Sequence, residues 1–404
     1  MLSLFSSFNK DELCQLYIYP TVPDIGVCNS YFRVTDRDIL KSFTRFLKVT
    51  PRVMGDEDID TTQHSMYENT TEADFYKKNK KNSLTLICRD LMWSLSHWYN
   101  KTLKKWLAQE KPTCIFLAPG ESKFIYNIAL RIAGKLDIPV FTYICDDYYF
   151  VNKPEKTTDR LQLNLLKRRM KIALKKSTGI ITICDELAKA YQDEFKTKAW
   201  TIFTGSNYPI ADGGVDNSDN KGLTYMGNLT CNRYVTIAQI GRALDNINKE
   251  NGTEYKLHLY APPLKDEINE IFQKISSIQY CGYVTSKEFE QVLHSKTVLL
   301  HVEAFDEQSI DRVKHSVSTK IADSLGSGNL LFAYGPKQVA SVRHLISHNC
   351  AIVVTEQSKL EQSLLALFKE TDYSAVVKRA IATAKKYHSS EKNSLVLRDI
   401  LAKH

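Results

Sequence analysis

Short apolar runs alternate with longer amphipathic stretches along most of this chain. In the first half, the runs 15–19, 113–118, 139–144, 179–183 and 199–203 read as strands. Helices are expected at about 122–136 and 158–176, and between the last two strands up to about 195. Near-continuous apolar strands separated by helical segments point to parallel sheets covered on both faces. The stretch 211–222 is polar and rich in Gly, Asp and Asn, which predicts a linker or long loop. A second alternating series follows, with strands near 223–226, 256–260, 278–280, 297–302, 330–334 and 351–354. Helices are expected over about 359–402, and no solenoid-type repeat is present. The pattern predicts an α/β protein of two doubly wound parts, 1–210 and 223–385, joined by 211–222. A final helix over 386–404 is expected to pack back on the first part.

Composition narrows the class. With 404 residues, 43% hydrophobic and 25% charged, the chain has the size and balance of a two-domain globular protein. No apolar run is long enough to cross a bilayer, and the N-terminus is a poor signal peptide. Nine scattered Cys without a C-x-x-C pair argue against a disulfide framework or zinc site and for a reducing, cytoplasmic setting. The net charge of +8 is uneven, since 151–200 holds 12 Lys+Arg against 6 Asp+Glu. Much of that excess lies in 160–176, where Lys and Arg interleave with Leu, Met and Ile. The segment is expected either to pack its apolar side on the sheet with its charges in water, or to rest peripherally on an anionic membrane. No nucleic-acid motif is present, and no nucleic-acid partner is expected.

The run 316–328 carries the most chemistry. Ser316, Ser318 and Thr319 precede Lys320, a short amphipathic turn follows, and Gly328 ends it before an apolar strand. A helix N-terminus offers unpaired N–H groups and a positive dipole end to a diphosphate, and Lys320 adds a full charge. Asp323, one turn on, is placed to accept hydrogen bonds from a ribose. No Walker loop, G-x-G-x-x-G, G-x-S-x-G or H-E-x-x-H pattern occurs, so neither a catalytic zinc nor another metal is expected.

This segment resembles the donor-binding motif of retaining GT-B glycosyltransferases of the family 4 type, in which Ser-x-x-Lys is followed three residues later by an acid. Asp323 stands at the second position of that family's Glu-x7-Glu pair, and His315 stands at the first. Glu303, on the preceding strand-like run, is a substitute for the missing acid. The stretch 222–233 resembles the opening strand and loop of the family's C-terminal domain, and 257–260, 280–284 and 179–185 resemble further parts. The resemblance covers about 110–400. It implies a GT-B architecture, two Rossmann-like domains with a cleft between them.

The resemblance also implies roles. Gly227 and Asn228 would lie against the phosphates, with Arg233 supplying a guanidinium fork at an offset that departs from the family's. Tyr283, after Gly282, would meet the nucleobase. Gly26, in 23–26, stands where the family has a Gly-rich loop. Asp146 and Asp147, after the strand ending at 144, are candidates for acceptor contact or proton transfer by one carboxylate. Catalytic work is expected of Asp146, Lys320 and Arg233, and sugar or acceptor contacts of Asp147, Glu303 and His315. The implied function is metal-independent transfer of a sugar, without a cofactor, from a nucleotide-diphosphate sugar to a glycan or lipid-linked acceptor. This would serve polysaccharide or glycoconjugate synthesis. The altered acidic pair keeps two alternatives open, a binding or scaffold protein of the same fold and a nucleotide-sugar epimerase.

Overall fold

The computed structural model describes residues 2–19, 23, 26–45, 52–55, 82–151, 154, 156–215, 222–295 and 297–403. Part of the Gly-rich stretch, 216–221, and part of the 23–26 loop, Asp24 and Ile25, lie outside the described residues. The chain divides into two compact units: Met1–Thr201 with Ser394–His404, and Ile202–Asn393.

Unit 1 runs β1 (Cys14–Tyr17), β2 (Ser30–Arg33), α1 (Asp36–Arg45), β3 (Arg52–Gly55), α2 (Ser83–Leu95), α3 (Lys101–Glu110) and β4 (Ile115–Leu117). It continues through α4 (Lys123–Leu136), β5 (Val140–Ile144), α5 (Thr157–Lys176), β6 (Gly179–Thr182), α6 (Asp185–Phe195) and β7 (Ala199–Thr201). Strands β4 to β7 form a parallel sheet in chain order. A separate sheet pairs β1 with β2 in parallel and β2 with β3 antiparallel. Strands β2 and β3 had no counterpart in the sequence reading. On α5, Leu163, Leu166, Met170, Ala173 and Leu174 recur at helical spacing and are buried, facing α2 and α4. An aromatic core fills the space between helices, with Trp93 stacked on Phe124 at 4.5 Å and Trp106 tilted against Phe32 at 5.2 Å.

Unit 2 runs β8 (Gly222–Met226), α7 (Arg233–Asn251), β9 (Lys256–Tyr260), α8 (Asp266–Phe272), β10 (Ile278–Gly282), α9 (Ser286–Leu293) and β11 (Val298–Val302). It continues with α10 (Glu307–Val313), α11 (Thr319–Gly326), β12 (Leu331–Tyr334), α12 (Ala340–His348), β13 (Ile352–Val354), α13 (Leu360–Lys369) and α14 (Ser374–Tyr387). The last helix, α15 (Ser390–Ala402), falls mostly in unit 1. The six strands are all parallel, in the order β10-β9-β8-β11-β12-β13. In chain order that is 3-2-1-4-5-6, the doubly wound dinucleotide-fold order. Strands β11 and β12 are buried throughout, as expected for a parallel sheet sandwiched between helices. The order reverses between β8 and β11, so ligands are expected beyond the C-terminal ends of those two strands.

Candidate active site

Five of the residues singled out from the sequence converge at this switch point in unit 2. Gly227 follows β8, and its N–H donates to Tyr260 O at 2.9 Å, continuing the β8–β9 ladder. A Cβ at 227 would collide with Lys320 Nζ and lie 3.0 Å from Tyr225 Oη. The missing side chain is what lets the lysine lie across the strand end. Tyr225 Oη donates to Asn228 O at 2.7 Å and fixes the turn.

Arg233 opens α7 and points back to the strand ends. Its Nε donates to Glu303 Oε2 at 3.1 Å and its Nη2 to Glu303 Oε1 at 3.0 Å. Nη1 reaches Asn228 Oδ1 at 3.3 Å. Glu303, directly after β11, is 2% exposed. Burial pushes its carboxyl above the usual carboxylate range, and Arg233 partly offsets that. Burial also weighs against the charged guanidinium, but the carboxylate more than compensates and Arg233 is held above its ordinary value. A buried, bidentate pair of this kind is a rigid element. Glu303, expected to contact sugar or acceptor, spends both oxygens on Arg233.

Lys320 lies in the first turn of α11, whose N-cap, Ser318, makes no side-chain cap bond. Burial, and then repulsion from Arg233, bring its ammonium down to about 8, against the attraction of Glu303 and Asp323. Among the described residues the ammonium makes no hydrogen bond or ion pair. His301, two residues before Glu303, was not anticipated. Its Nε2 lies 3.1 Å from Ser341 Oγ and 3.6 Å from Glu303 Oε1. Burial, Arg233 and Lys320 hold it down to about 3, so it is a neutral imidazole. The signal for it was a His at the fourth position of the apolar strand that ends just before Glu303.

Asp323 is buried three residues further along α11. Its Oδ1 accepts from Asn207 N at 2.8 Å and Ser206 Oγ at 3.1 Å, and Oδ2 from Asn207 Nδ2 at 3.5 Å. Burial raises its carboxyl, against those hydrogen bonds. Ser206 and Asn207 were missed because they lie over a hundred positions away in the chain. Tyr283 follows Gly282 at φ +82 and is 73% exposed. Ser316 N donates to Val313 O at 2.9 Å, His315 is half-buried in the same loop, and Thr319 is exposed.

The remaining candidates belong to unit 1. Gly26 is exposed in a turn between β1 and β2. Asp147 Oδ1 accepts from Tyr149 N at 2.9 Å, Phe150 N at 3.0 Å and Tyr191 Oη at 3.1 Å, so it organises the loop after β5. Asp146 is exposed, with Cys145 Sγ at 3.7 Å. Among the described residues no group of three or more His, Cys, Asp or Glu is placed to hold a metal ion.

No protein-family model matches this sequence, and no curated protein matches it. Solved structures do. HepE of Anabaena, solved with UDP, aligns over 77% of this chain and 84% of its own at TM-score 0.57 and 11% identity. A UDP-forming α,α-trehalose-phosphate synthase of Burkholderia xenovorans aligns over 87% of both chains at TM-score 0.56 and 14% identity. TarM of S. aureus, solved with UDP and a glycosylated glycerol, aligns over 74% of this chain and 57% of its own at TM-score 0.53 and 11% identity. The fold is therefore that of the GT-B glycosyltransferases, two Rossmann-like domains, as the sequence resemblance implied.

Proposed function

We propose that the protein is a glycosyltransferase that takes a nucleotide-diphosphate sugar as donor and a glycan or lipid-linked molecule as acceptor. It needs no bound metal and retains the anomeric configuration, as the family resemblance implies. One observation carries the donor assignment. Lys320 is a half-buried cation at the topological switch point, beside Arg233, and among the described residues it has no paired anion. A diphosphate supplies that anion. As the donor's glycosidic bond breaks, charge grows on the leaving phosphate, and Lys320, Arg233 and the N–H groups at the start of α11 neutralise it. The UDP in the HepE and TarM structures makes UDP and UDP-sugars the first ligands to try. In unit 1, Asp147 is committed to its loop, so Asp146 is the carboxylate proposed to contact the acceptor or take its proton.

The test is titration calorimetry of the whole chain with UDP and UDP-sugars in EDTA, followed by turnover with candidate acceptors. Micromolar binding in chelator that is lost in Lys320→Met supports the reading. Binding that appears only when magnesium or manganese is restored would recast the charge neutralisation as metal-borne. No binding of any nucleoside diphosphate, with the fold intact, favours the scaffold alternative, which His315 in place of an acid keeps open.

A further inference from the structure

The expected membrane-facing cations of 160–176 do not all face water. Lys167 Nζ donates to Val151 O at 2.9 Å, Lys171 pairs with Glu194 at 3.3 Å, and Arg169 Nε is buried with no hydrogen-bond partner among the described residues. Burial lowers the Arg169 guanidinium from its ordinary value. What α5 does show to solvent is a mixed face: Leu161 and Ile172, about half exposed, with Arg168, Lys175 and Lys176 among them.

The neighbouring helix adds a feature that no charge count reveals. On α2, Leu84, Leu91 and Leu95 are 57%, 59% and 62% exposed, and Cys88 between them is exposed too. Steps of four, three and four residues put all of them on one stripe of the helix. The opposite face of α2 carries the buried Trp93, so the stripe is not a misassigned core side. Helices α2 and α5 pack together, and Ser83 Oγ donates to Asp159 Oδ1 at 2.6 Å, tying their first turns. An apolar ridge and a cationic ridge therefore run on adjacent helices. The acids on these helices are Asp90, which is buried, and Asp159, half-buried and held by Ser83.

We propose that α2 and α5 form one docking surface for an anionic lipid bilayer, with the α2 leucines entering the headgroup–acyl boundary and Arg168, Lys175 and Lys176 meeting the anionic headgroups. Charge selects this occupant. Two copies joined through the ridge would bring like charges together, whereas an anionic interface satisfies both ridges at once. Each cation near such a surface adds roughly 1 kcal/mol, and salt screens it. The surface lies wholly in unit 1, so the inference stands apart from the donor site.

The test is co-sedimentation of the whole chain with vesicles of phosphatidylcholine, with and without phosphatidylglycerol. Binding is expected only with phosphatidylglycerol, and is expected to fall in high salt for the unmodified protein. Arg168→Gln with Lys175→Gln should weaken partition by about thirtyfold, the sum of two such charges. Leu91→Ser with Leu95→Ser, which touches no charge, should weaken it by tenfold or more on the scale of buried apolar area. UDP affinity measured without lipid should stay unchanged in both variants, so failure here and failure of the donor assignment are read separately. The proposal is overturned if the protein stays in the supernatant with phosphatidylglycerol at low salt, or if the leucine variant binds as well as the unmodified chain. A concentration-dependent dimer that Leu91→Ser dissolves, without vesicle binding, would overturn it in favour of self-association.

Discussion

Unit 2 withdraws two clusters of nitrogen bases from water, one half-buried and one fully buried, and treats them in opposite ways. Beyond β8 and β11, Arg233 and Lys320 stay near one another as cations, and the nearby carboxylates are committed elsewhere: Glu303 to Arg233, Asp323 to Ser206 and Asn207. At the other cluster, His344 and His388 are buried with their Nε2 atoms 3.0 Å apart, and His388 Nδ1 lies 2.8 Å from Thr204 O. A carbonyl only accepts, so His388 carries its proton on Nδ1 and its Nε2 accepts from His344 Nε2–H. Both rings are neutral, held down to about 3 and about 4 chiefly by burial. The histidines satisfy each other and ask nothing of a ligand. Lys320 is left with an unmet demand. A buried base that completes its own bonding is structural, and one that does not is where a partner belongs.

The contrast can be broken most strongly at Glu303. Glu303→Ala leaves Arg233 buried without its counter-charge, and should cost about 3–5 kcal/mol in urea unfolding. A loss below about 1 kcal/mol would mean that Arg233 is solvated and the pair is not rigid. At Lys320, two effects should part company. Lys320→Met should lose about 2–4 kcal/mol of UDP binding, yet leave the free protein as stable or more so, because a desolvated, unpaired cation is removed. In the parent protein UDP affinity should fall as pH rises through about 8, where the ammonium deprotonates, and the Met variant should show no such limb. A parallel fall in stability and binding would instead make Lys320 an ordinary structural residue.

Asp323→Ala removes the acceptor shared by Asn207 N and the buried Ser206 Oγ, and should cost about 1–3 kcal/mol of stability. A ribose acceptor role adds about a tenfold loss of UDP affinity. Unchanged affinity would assign Asp323 to the 206–207 segment alone. The histidine pair should show no effect near neutrality and act only in acid. Its folded values lie below the ordinary 6.5, so its stability is complete above that pH and is lost as pH falls toward 4 and then 3. The slope should be about 1 kcal/mol per pH unit for each ring. His344→Phe should flatten the pH dependence of the melting temperature between pH 6.5 and 4. An unaltered acid limb would locate acid sensitivity elsewhere, with His301 the next buried ring to examine.

What could be read in advance divides along physical lines. The buried parallel strands were legible almost to the residue, as with Leu331–Tyr334, because a strand covered on both faces is a continuous apolar run with polar or Gly ends. Helix α5 was legible because its buried positions keep a helical period. Ser30–Arg33 was not, since four residues mixing Ser and Arg with two aromatics give no period to detect. The exposed ridge of α2 was also hidden: with apolar residues on both faces, the helix has no polar side to set its phase. At the site, Lys320, Gly227 and Arg233 were findable from their positions at element ends. The partners that define their chemistry were not. Glu303 grips a residue seventy positions earlier, and Asp323 one more than a hundred away, so neither pairing leaves a local trace.

The closing helix has a consequence for how the molecule is made. Within unit 1, Ser394 Oγ donates to Leu4 O at 2.8 Å and accepts from Ser7 N at 2.9 Å, while Arg398 Nη1 donates to Ser7 O at 2.8 Å and pairs with Glu12. Residues 4–12 thus wait for residues 394–398 to be made. Unit 2, translated in between and continuous in the chain, has all its strands in hand earlier and can mature on its own schedule. A released chain truncated before residue 394 should carry a folded unit 2 and a unit 1 still open to proteolysis.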